Sequence, residues 1–148
     1  MAINTKKVVV AGIAAGVVMN VLDFLLNMMF GAQMQASANA FKPGLGDAMS
    51  TMSGSTMAGF IIMDLVIGML LAYTYAAMRP RFGAGAKTAI ITALVFWIFG
   101  SIIASNYLIM GMMSRSLWLT YGFAYLVCLV VASLVAGALY SEDAAVTA

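Results

Sequence analysis

Four apolar segments, each long enough to cross a bilayer as an α-helix, dominate this chain of 148 residues. They cover about residues 8–30, 56–78, 88–110 and 117–140. A hydrocarbon core of about 30 Å requires about 20 helical residues, since the rise is about 1.5 Å per residue. The pattern predicts an all-α fold, a bundle of four transmembrane spans that forms one domain over residues 1–148. Residues 31–55 are predicted to form a long connection on the outer side.

The composition also indicates a membrane environment, because 64% of the residues are hydrophobic and only 8% are charged, with a mean hydropathy of +1.04. Soluble domains carry about 25% charged residues. The net charge of +2 and the lack of a dense basic patch argue against nucleic acid as a partner. The chain has no histidine and one cysteine, Cys128, so neither an internal disulfide nor a Cys/His zinc site is expected. No cofactor is predicted.

The basic residues predict the orientation of the spans. Five of them precede the first span or lie between the second and third, and two lie in the other connections: Lys6, Lys7, Arg79, Arg81 and Lys87 against Lys42 and Arg115. The positive-inside bias therefore predicts that both termini are cytoplasmic. A cleaved signal peptide is the competing interpretation of the first segment, but its 23 apolar residues exceed the 7–15 that are typical of such a peptide.

Two local features refine the boundaries of the spans. The sequence Arg79-Pro80-Arg81 is expected to stop the second span, because proline disfavours helix at the preceding residue and cannot continue the hydrogen-bond ladder. Residues 33–41 contain neither glycine nor proline and include three alanines, which predicts a short helix near the outer interface.

The first span carries an unusual polar face. Asn20, Asp23 and Asn27 are spaced three and four residues apart, so they share one side of a helix, and Gly12 and Gly16 lie on the same side. An ionisable group in a membrane span normally faces protein or water, because exposure to lipid is costly. The small residues predict that another helix approaches closely at this face.

A second carboxylate lies in the second span. Asp64 shares a helix face with Gly68 and Tyr75. Helix rise places Asp23 about 24 Å and Asp64 about 22 Å from the inner basic residues, so the two carboxylates are expected at nearly the same depth in the outer half, where they can meet. Asn106 in the third span and Tyr125 in the fourth are expected at a similar depth, with Tyr125 on the face that also bears Tyr121 and Cys128.

These residues predict a polar site, formed by Asp23, Asp64, Asn20, Asn27, Asn106 and Tyr125. No lysine or arginine lies within the spans to neutralise the carboxylates, so at least one is expected to be protonated or paired with a cation. The functional hypothesis is binding or passage of a proton, a cation or a small polar solute. The structural alternative is a protonated aspartate that hydrogen-bonds asparagine and tyrosine, at about 0.6 kcal/mol per bond.

Two further functional hypotheses concern partners and metals. A non-transporting subunit or scaffold would pack against other membrane proteins through small-residue faces, whereas transport by four short spans would require a homo-oligomer. The chain has 14 methionines, many near the outer side, and the spacing of Met49 and Met52 or of Met110, Met112 and Met113 suits Cu(I). Methionine as an apolar filler is favoured over that metal hypothesis. No constellation of catalytic residues is visible, so an enzyme is not predicted.

Four short sequences resemble those of small four-helix inner-membrane proteins of bacteria that are catalogued as domains of unknown function. They are Lys6-Lys7, Asn27-Met28-Met29-Phe30, Phe96-Trp97-Ile98 and Tyr121-Gly122-Phe123. The resemblance covers nearly the whole chain. It implies a compact, multi-pass protein of the bacterial inner (cytoplasmic) membrane and implies no activity.

Overall fold

The structure is a computed structural model that describes residues 3–51 and 53–141. These residues form five α-helices: α1 (Thr5–Phe41), α2 (Leu45–Ser50), α3 (Gly54–Phe82), α4 (Ala86–Ile109) and α5 (Arg115–Leu139). All except the short α2 are long and apolar enough to cross a membrane. The all-α architecture with four candidate spans is therefore confirmed.

Side-chain caps define where three of the long helices begin. Asn4 accepts a hydrogen bond from the backbone N–H of Lys7 at 3.1 Å, and Ser53 accepts one from Thr56 at 3.2 Å. Ser114 caps α5 in the same way at 3.2 Å. Asparagine and serine suit these positions because their side-chain oxygens satisfy a backbone donor that has no partner within the helix.

The first helix continues well past the predicted end of its span. Residues 33–41 are helical, as predicted, but they extend α1 rather than forming a separate helix. The helix stops only at Lys42, which is extended (φ −144°, ψ 118°) because Pro43 follows it. With 37 residues α1 is about 56 Å long, which exceeds the thickness of a hydrocarbon core.

The predicted stop at Arg79-Pro80-Arg81 is wrong, since α3 passes through Pro80 and ends at Phe82. Proline costs the helix one hydrogen bond, but only two more helical residues follow it. The actual end is at Gly83, whose φ of 86° is readily adopted only by glycine. The extra turn carries the basic residues at this end of α3 further from the centre of the bundle.

The helices are arranged in the spatial order α3, α1, α5, α4. Helix α1 packs against α3 and α5, while α4 packs against α5 and α3 and does not contact α1 within the described residues. We call the end that holds Asn4, Tyr140 and the 83–85 turn the terminal end. The opposite end, which holds α2 and the 110–114 turn, is called the distal end.

Three glycines produce a very close contact between α1 and α3. A Cβ atom at Gly16 would lie 2.6 Å from the Cα of Leu65, and a Cβ atom at Gly68 would collide with the backbone nitrogen of Gly16. Gly12 meets Met69 one turn further toward the terminal end. The backbones of α1 and α3 therefore touch, as the small-residue pattern predicts.

Packing differs sharply between the two ends of the bundle. The interior of the terminal half contains apolar and polar residues with at most 1% exposure, namely Ala11, Ala15, Leu71, Ala72, Tyr75, Ala76, Thr88, Ala89, Thr92, Ala93, Ala132, Ser133 and Ala136. In the distal half, every described residue of 53–63 on α3 is exposed. Helix α4 has no buried residue beyond Ala93. The bundle is thus close-packed at the terminal end, whereas at the distal end α3 and α4 are open and, among the described residues of the long helices, only α1 and α5 keep buried ones, such as Leu26 and Leu117.

Hydrogen bonds fold the distal connection back onto α1. The Asp47 carboxylate accepts hydrogen bonds from the side-chain amides of Gln35 at 2.9 Å and Asn39 at 3.2 Å. These two donors stabilise the charged form, so the pKa of Asp47 lies below its ordinary value. Ser37 donates a hydrogen bond to the carbonyl of Met112 at 3.0 Å. The extension of α1 therefore carries both α2 and the 110–114 turn.

Candidate functional site

Two buried carboxyl oxygens without hydrogen-bond partners mark the candidate site. Asp64 is only 2% exposed, and its Oδ1 atom accepts no hydrogen bond. Asp23 is half-buried, and its Oδ1 atom is likewise buried and unpartnered. An unsatisfied buried polar group costs about 1–3 kcal/mol, and a charged one costs more. Such groups are uncommon in folded proteins and require an explanation.

The sequence places Asp64 in the interior because it belongs to the packed stripe of α3. That stripe continues through Gly68, Ala72 and Tyr75, all of which are buried. Asp64 is the last buried residue of α3 in the distal direction. It therefore lies at the boundary between the close-packed half of the bundle and the open half.

Asn20 lies beside the carboxylates but bonds to backbone instead. Its side-chain amide donates to the carbonyl of Gly16 at 3.0 Å and to the carbonyl of Ile61 at 3.3 Å. The second bond links α1 to α3 about one turn distal of Asp64. The hydrogen bond from asparagine to aspartate that the structural alternative requires is therefore not formed by Asn20.

Three contacts fix the register of α1 against α3. They join Gly12 to Met69, Gly16 to Leu65, and Asn20 to Ile61. The helices are antiparallel, so this register brings Asp23 level with Ala58, six residues from Asp64. Six residues correspond to about 9 Å along the helix axis.

The prediction that Asp23 and Asp64 lie at nearly the same depth is therefore wrong. It assumed that Lys7 and Arg79 are level with each other. The observed register instead brings Lys7 level with Thr74, and Arg79 lies five residues further out at the terminal end. The two carboxylates form a deep position at Asp64 and a more distal position at Asp23, and they remain close enough to interact electrostatically.

Helix α5 completes the site with a phenol from Tyr125. This side chain is half-buried and lies within electrostatic range of both carboxylates. Its ring stacks on Tyr121, with 6.1 Å between ring centroids and 16° between ring planes. Tyr121 in turn packs edge-on against Phe30 of α1 at 5.8 Å. Tyr125 thus lies in the same region as the two aspartates, and its membership of one site with them stays a prediction.

Two residues outside the predicted set also belong to this region. Tyr121 stacks on Tyr125, and Cys128 is buried on the same helix. The signal for both was their spacing from Tyr125, four residues before it and three residues after it. The sequence analysis noted this shared face but selected only Tyr125.

The other two predicted site residues lie elsewhere. Asn27 and Asn106 are both exposed. Asn106 is on the distal half of α4, which does not contact α1, so it cannot approach Asp23. Asn27 lies one turn distal of Asp23 on α1, where the helix surface is open. The prediction that these amides face the interior is wrong, because the distal half of the bundle is not closed around them.

No metal cluster is visible within residues 3–51 and 53–141, where no three residues among His, Cys, Asp and Glu come together. Met49 and Met110 are 58% and 61% exposed, and Met52 lies outside the described residues.

Two open grooves, of about 270 and 380 Å³, lie between α4 and α5, and neither is lined by Asp23 or Asp64. The unpartnered carboxylates are therefore the chemically distinctive feature of the described part of the chain.

Comparisons with protein-family models, with curated proteins and with solved structures each gave no match. The class of the protein therefore follows from its own fold. Four helices long and apolar enough to span a bilayer, with most of their large apolar side chains facing outward, define a small four-span integral membrane protein. The resemblance to four-helix membrane proteins is confirmed to that extent.

Proposed function

We propose that this protein binds a proton or a small cation at Asp64, with Asp23 as a second carboxylate on the distal side. The observation that carries the proposal is the pair of buried Oδ1 atoms that accept no hydrogen bond. A carboxylate that is 98% shielded from solvent favours any ligand that removes or balances its negative charge. The setting is the bacterial inner membrane, with both termini cytoplasmic.

The low dielectric of the interior supplies the driving force for binding. Lysine and arginine are absent from the four spans as far as residue 78 in α3, and Arg79 lies 15 residues from Asp64, about 22 Å along the helix. Two neighbouring carboxylates without a basic side chain repel each other. A proton or a cation relieves this repulsion, and Tyr125 supplies a hydroxyl that can donate to an ionised aspartate or accept from a protonated one.

The alternative function is a non-transporting subunit that packs against other membrane proteins. It relied on an exposed seam of small residues. Gly12, Gly16 and Gly68 are used within the chain, between α1 and α3, whereas Gly54 and Gly59 are exposed. Binding at the carboxylates is the function that we place first, because the unpartnered Oδ1 atoms support it directly. Passage of the ligand across the membrane would still require a homo-oligomer.

A hydrophobic carbodiimide tests the proposal, because it forms a stable N-acylurea with a protonated carboxyl group in an apolar setting. The chain contains only five acidic residues, so peptide mass spectrometry can locate the adduct. If Asp64 binds a proton, we expect the carbodiimide to modify it at neutral pH. If Asp64 binds a small inorganic cation, we expect an excess of that cation to prevent the modification.

Two variants provide the controls for this experiment. Asp64→Asn should abolish the adduct. Asp47→Asn should leave it unchanged, because Asp47 is exposed and hydrogen-bonded to amides. If Asp64 is unmodified under all conditions and no cation alters the infrared carboxyl bands, the proposed function is wrong.

The proposed orientation is tested by thiol labelling in a Cys128→Ser background. Leu45 is the first residue of α2 at the distal end, and Ala84 lies in the 83–85 turn at the terminal end. A membrane-impermeant maleimide should label Leu45→Cys from outside intact cells and Ala84→Cys only after the cytoplasmic face is exposed. The reverse pattern would show that the termini are outside.

A further inference from the structure

We infer that the ligand reaches Asp64 from the distal end only, through an opening lined by Asp23 and Tyr125, and that a tyrosine layer closes the route from the terminal end. The ligand chemistry rests on the proposed function, whereas the direction of access rests on packing alone. The opening favours positively charged species, because Asp23 carries a carboxylate and no lysine or arginine lies within residues 8–30, 56–78, 88–110 and 117–140.

The tyrosine layer consists of Tyr75 and Tyr140, which are 1% and 3% exposed. Their rings meet edge to face at 6.2 Å. The guanidinium of Arg79 lies 5.7 Å from the centre of the Tyr140 ring on the terminal side. Two bulky rings and a cation thus occupy the interior of the bundle at this level, beside an open groove between α4 and α5.

Hydrogen bonds hold both tyrosines in place. The backbone N–H of Gly85 donates to the Tyr75 hydroxyl at 2.9 Å, and the N–H of Asn4 donates to the Tyr140 hydroxyl at 3.3 Å. The Tyr75 ring also fills the space beside Gly137, where a Cβ atom would lie 2.9 Å from it. The layer therefore joins the terminal ends of all four long helices.

The interior between this layer and Asp64 is fully buried along α3. Tyr75 follows Asp64 by 11 residues, about 16 Å along the axis. The residues of α3 that face inward over this distance include Leu71 and Ala72, both with 0% exposure. The neighbouring helices contribute Ala15 and Ala132, also with 0% exposure. A hydrated ion has no path through an interior of this density.

On the α3 side of the bundle, the region distal of Asp64 has the opposite character. Every described α3 residue distal of Asp64 is exposed, and the hydrogen bonds between α3 and the α4 region lie at the terminal end, at Tyr75 and Thr92. Asp23 and Tyr125 are half-buried at a level that a ligand would pass on its way from the distal end. Asp23 is therefore a positioning residue that attracts a cation about 9 Å before it reaches Asp64.

Reaction of a thiol at position 64 tests the direction of access. In a Cys128→Ser background, Asp64→Cys is reconstituted in sealed vesicles, and a membrane-impermeant quaternary-ammonium methanethiosulfonate is added to one face at a time. We expect reaction from the distal face only. The cationic reagent should react about 10- to 20-fold faster than an anionic sulfonate reagent of similar size, since one negative charge remains at Asp23.

Three further variants make the outcome decisive. Asp23→Asn should remove most of the preference for the cationic reagent. Tyr125→Cys should also react from the distal face, which provides a second probe if Asp64→Cys does not fold. Ala72→Cys should react from neither face, because Ala72 lies in the dense interior.

Reaction of Asp64→Cys from the terminal face, or unreactivity of both Asp64→Cys and Tyr125→Cys from the distal face, would overturn the inference. Neither result would affect the carbodiimide experiment, which reports binding without regard to side. Conversely, an unmodified Asp64 in that experiment would refute ligand binding at Asp64. It would not affect the inference about the direction of access. The two proposals can therefore fail separately.

Discussion

Gly68→Ala is expected to cause a large loss of thermal stability in mild detergent. The added Cβ atom would collide with the backbone nitrogen of Gly16 and lie 2.5 Å from the carbonyl oxygen of Gly12. A backbone cannot move aside as a flexible side chain does, so α1 and α3 must separate. Overpacking costs about 1–3 kcal/mol even where side chains can adjust, and we expect the upper part of that range or more.

The control for this prediction is Gly59→Ala on the same helix. A Cβ atom at Gly59 would have no heavy atom within 4 Å. Alanine is a better helix former than glycine by about 1 kcal/mol, so this variant should be neutral or stabilised. Thermal unfolding followed by circular dichroism measures both variants. A similar response of Gly68→Ala and Gly59→Ala would show that the close contact between α1 and α3 does not exist.

The second large effect is expected at Asp64, where replacement by leucine should raise stability while binding is lost. The Oδ1 atom of Asp64 is buried without a partner, so its removal relieves a cost of about 1–3 kcal/mol. Binding sites are commonly less stable than an apolar alternative would be. Asp64→Asn should show a smaller gain, because the amide still leaves a polar group in the same place.

The structural alternative predicts the opposite sign for this experiment. If a protonated Asp64 stabilised the bundle through hydrogen bonds, Asp64→Leu would loosen the packing and lower the melting temperature. Asp47→Leu is the matched control, because the Asp47 carboxylate lies on the surface and accepts two amide hydrogen bonds. Loss of these bonds should release α2 from α1 without changing the four spans. A lower melting temperature for Asp64→Leu together with an unchanged one for Asp64→Asn, measured without added ligand, would favour the structural role, because an amide still forms hydrogen bonds.

Local sequence chemistry predicted the site only in part. The apolar stripe of α3 placed Asp64 in the interior, because the same face carries Gly68 and Tyr75. The three-and-four spacing on α5 likewise identified Tyr125. Asn27 and Asn106 were assigned to the site by their predicted helix face and depth, but both are exposed. Depth alone could not show that the helices separate toward the distal end.

The error in the relative depth of the two aspartates has a specific physical cause. Helix rise gives distances along one helix accurately, but it does not give the offset between two helices. That offset is set where Gly12 and Gly16 meet Gly68, since only there can the backbones touch. The charged residues were a poor reference level because Lys7 and Arg79 are five residues apart in level.

The sequence by itself determined the number of spans, their approximate bounds and the helix faces that bear polar groups. Each of these follows from hydrophobicity and helical periodicity, which act within one segment. Only the tertiary structure decided the register of α1 against α3, the peripheral position of α4 and the open distal half. These features depend on contacts between segments, where a single close approach of glycines sets the position of every other side chain on two helices.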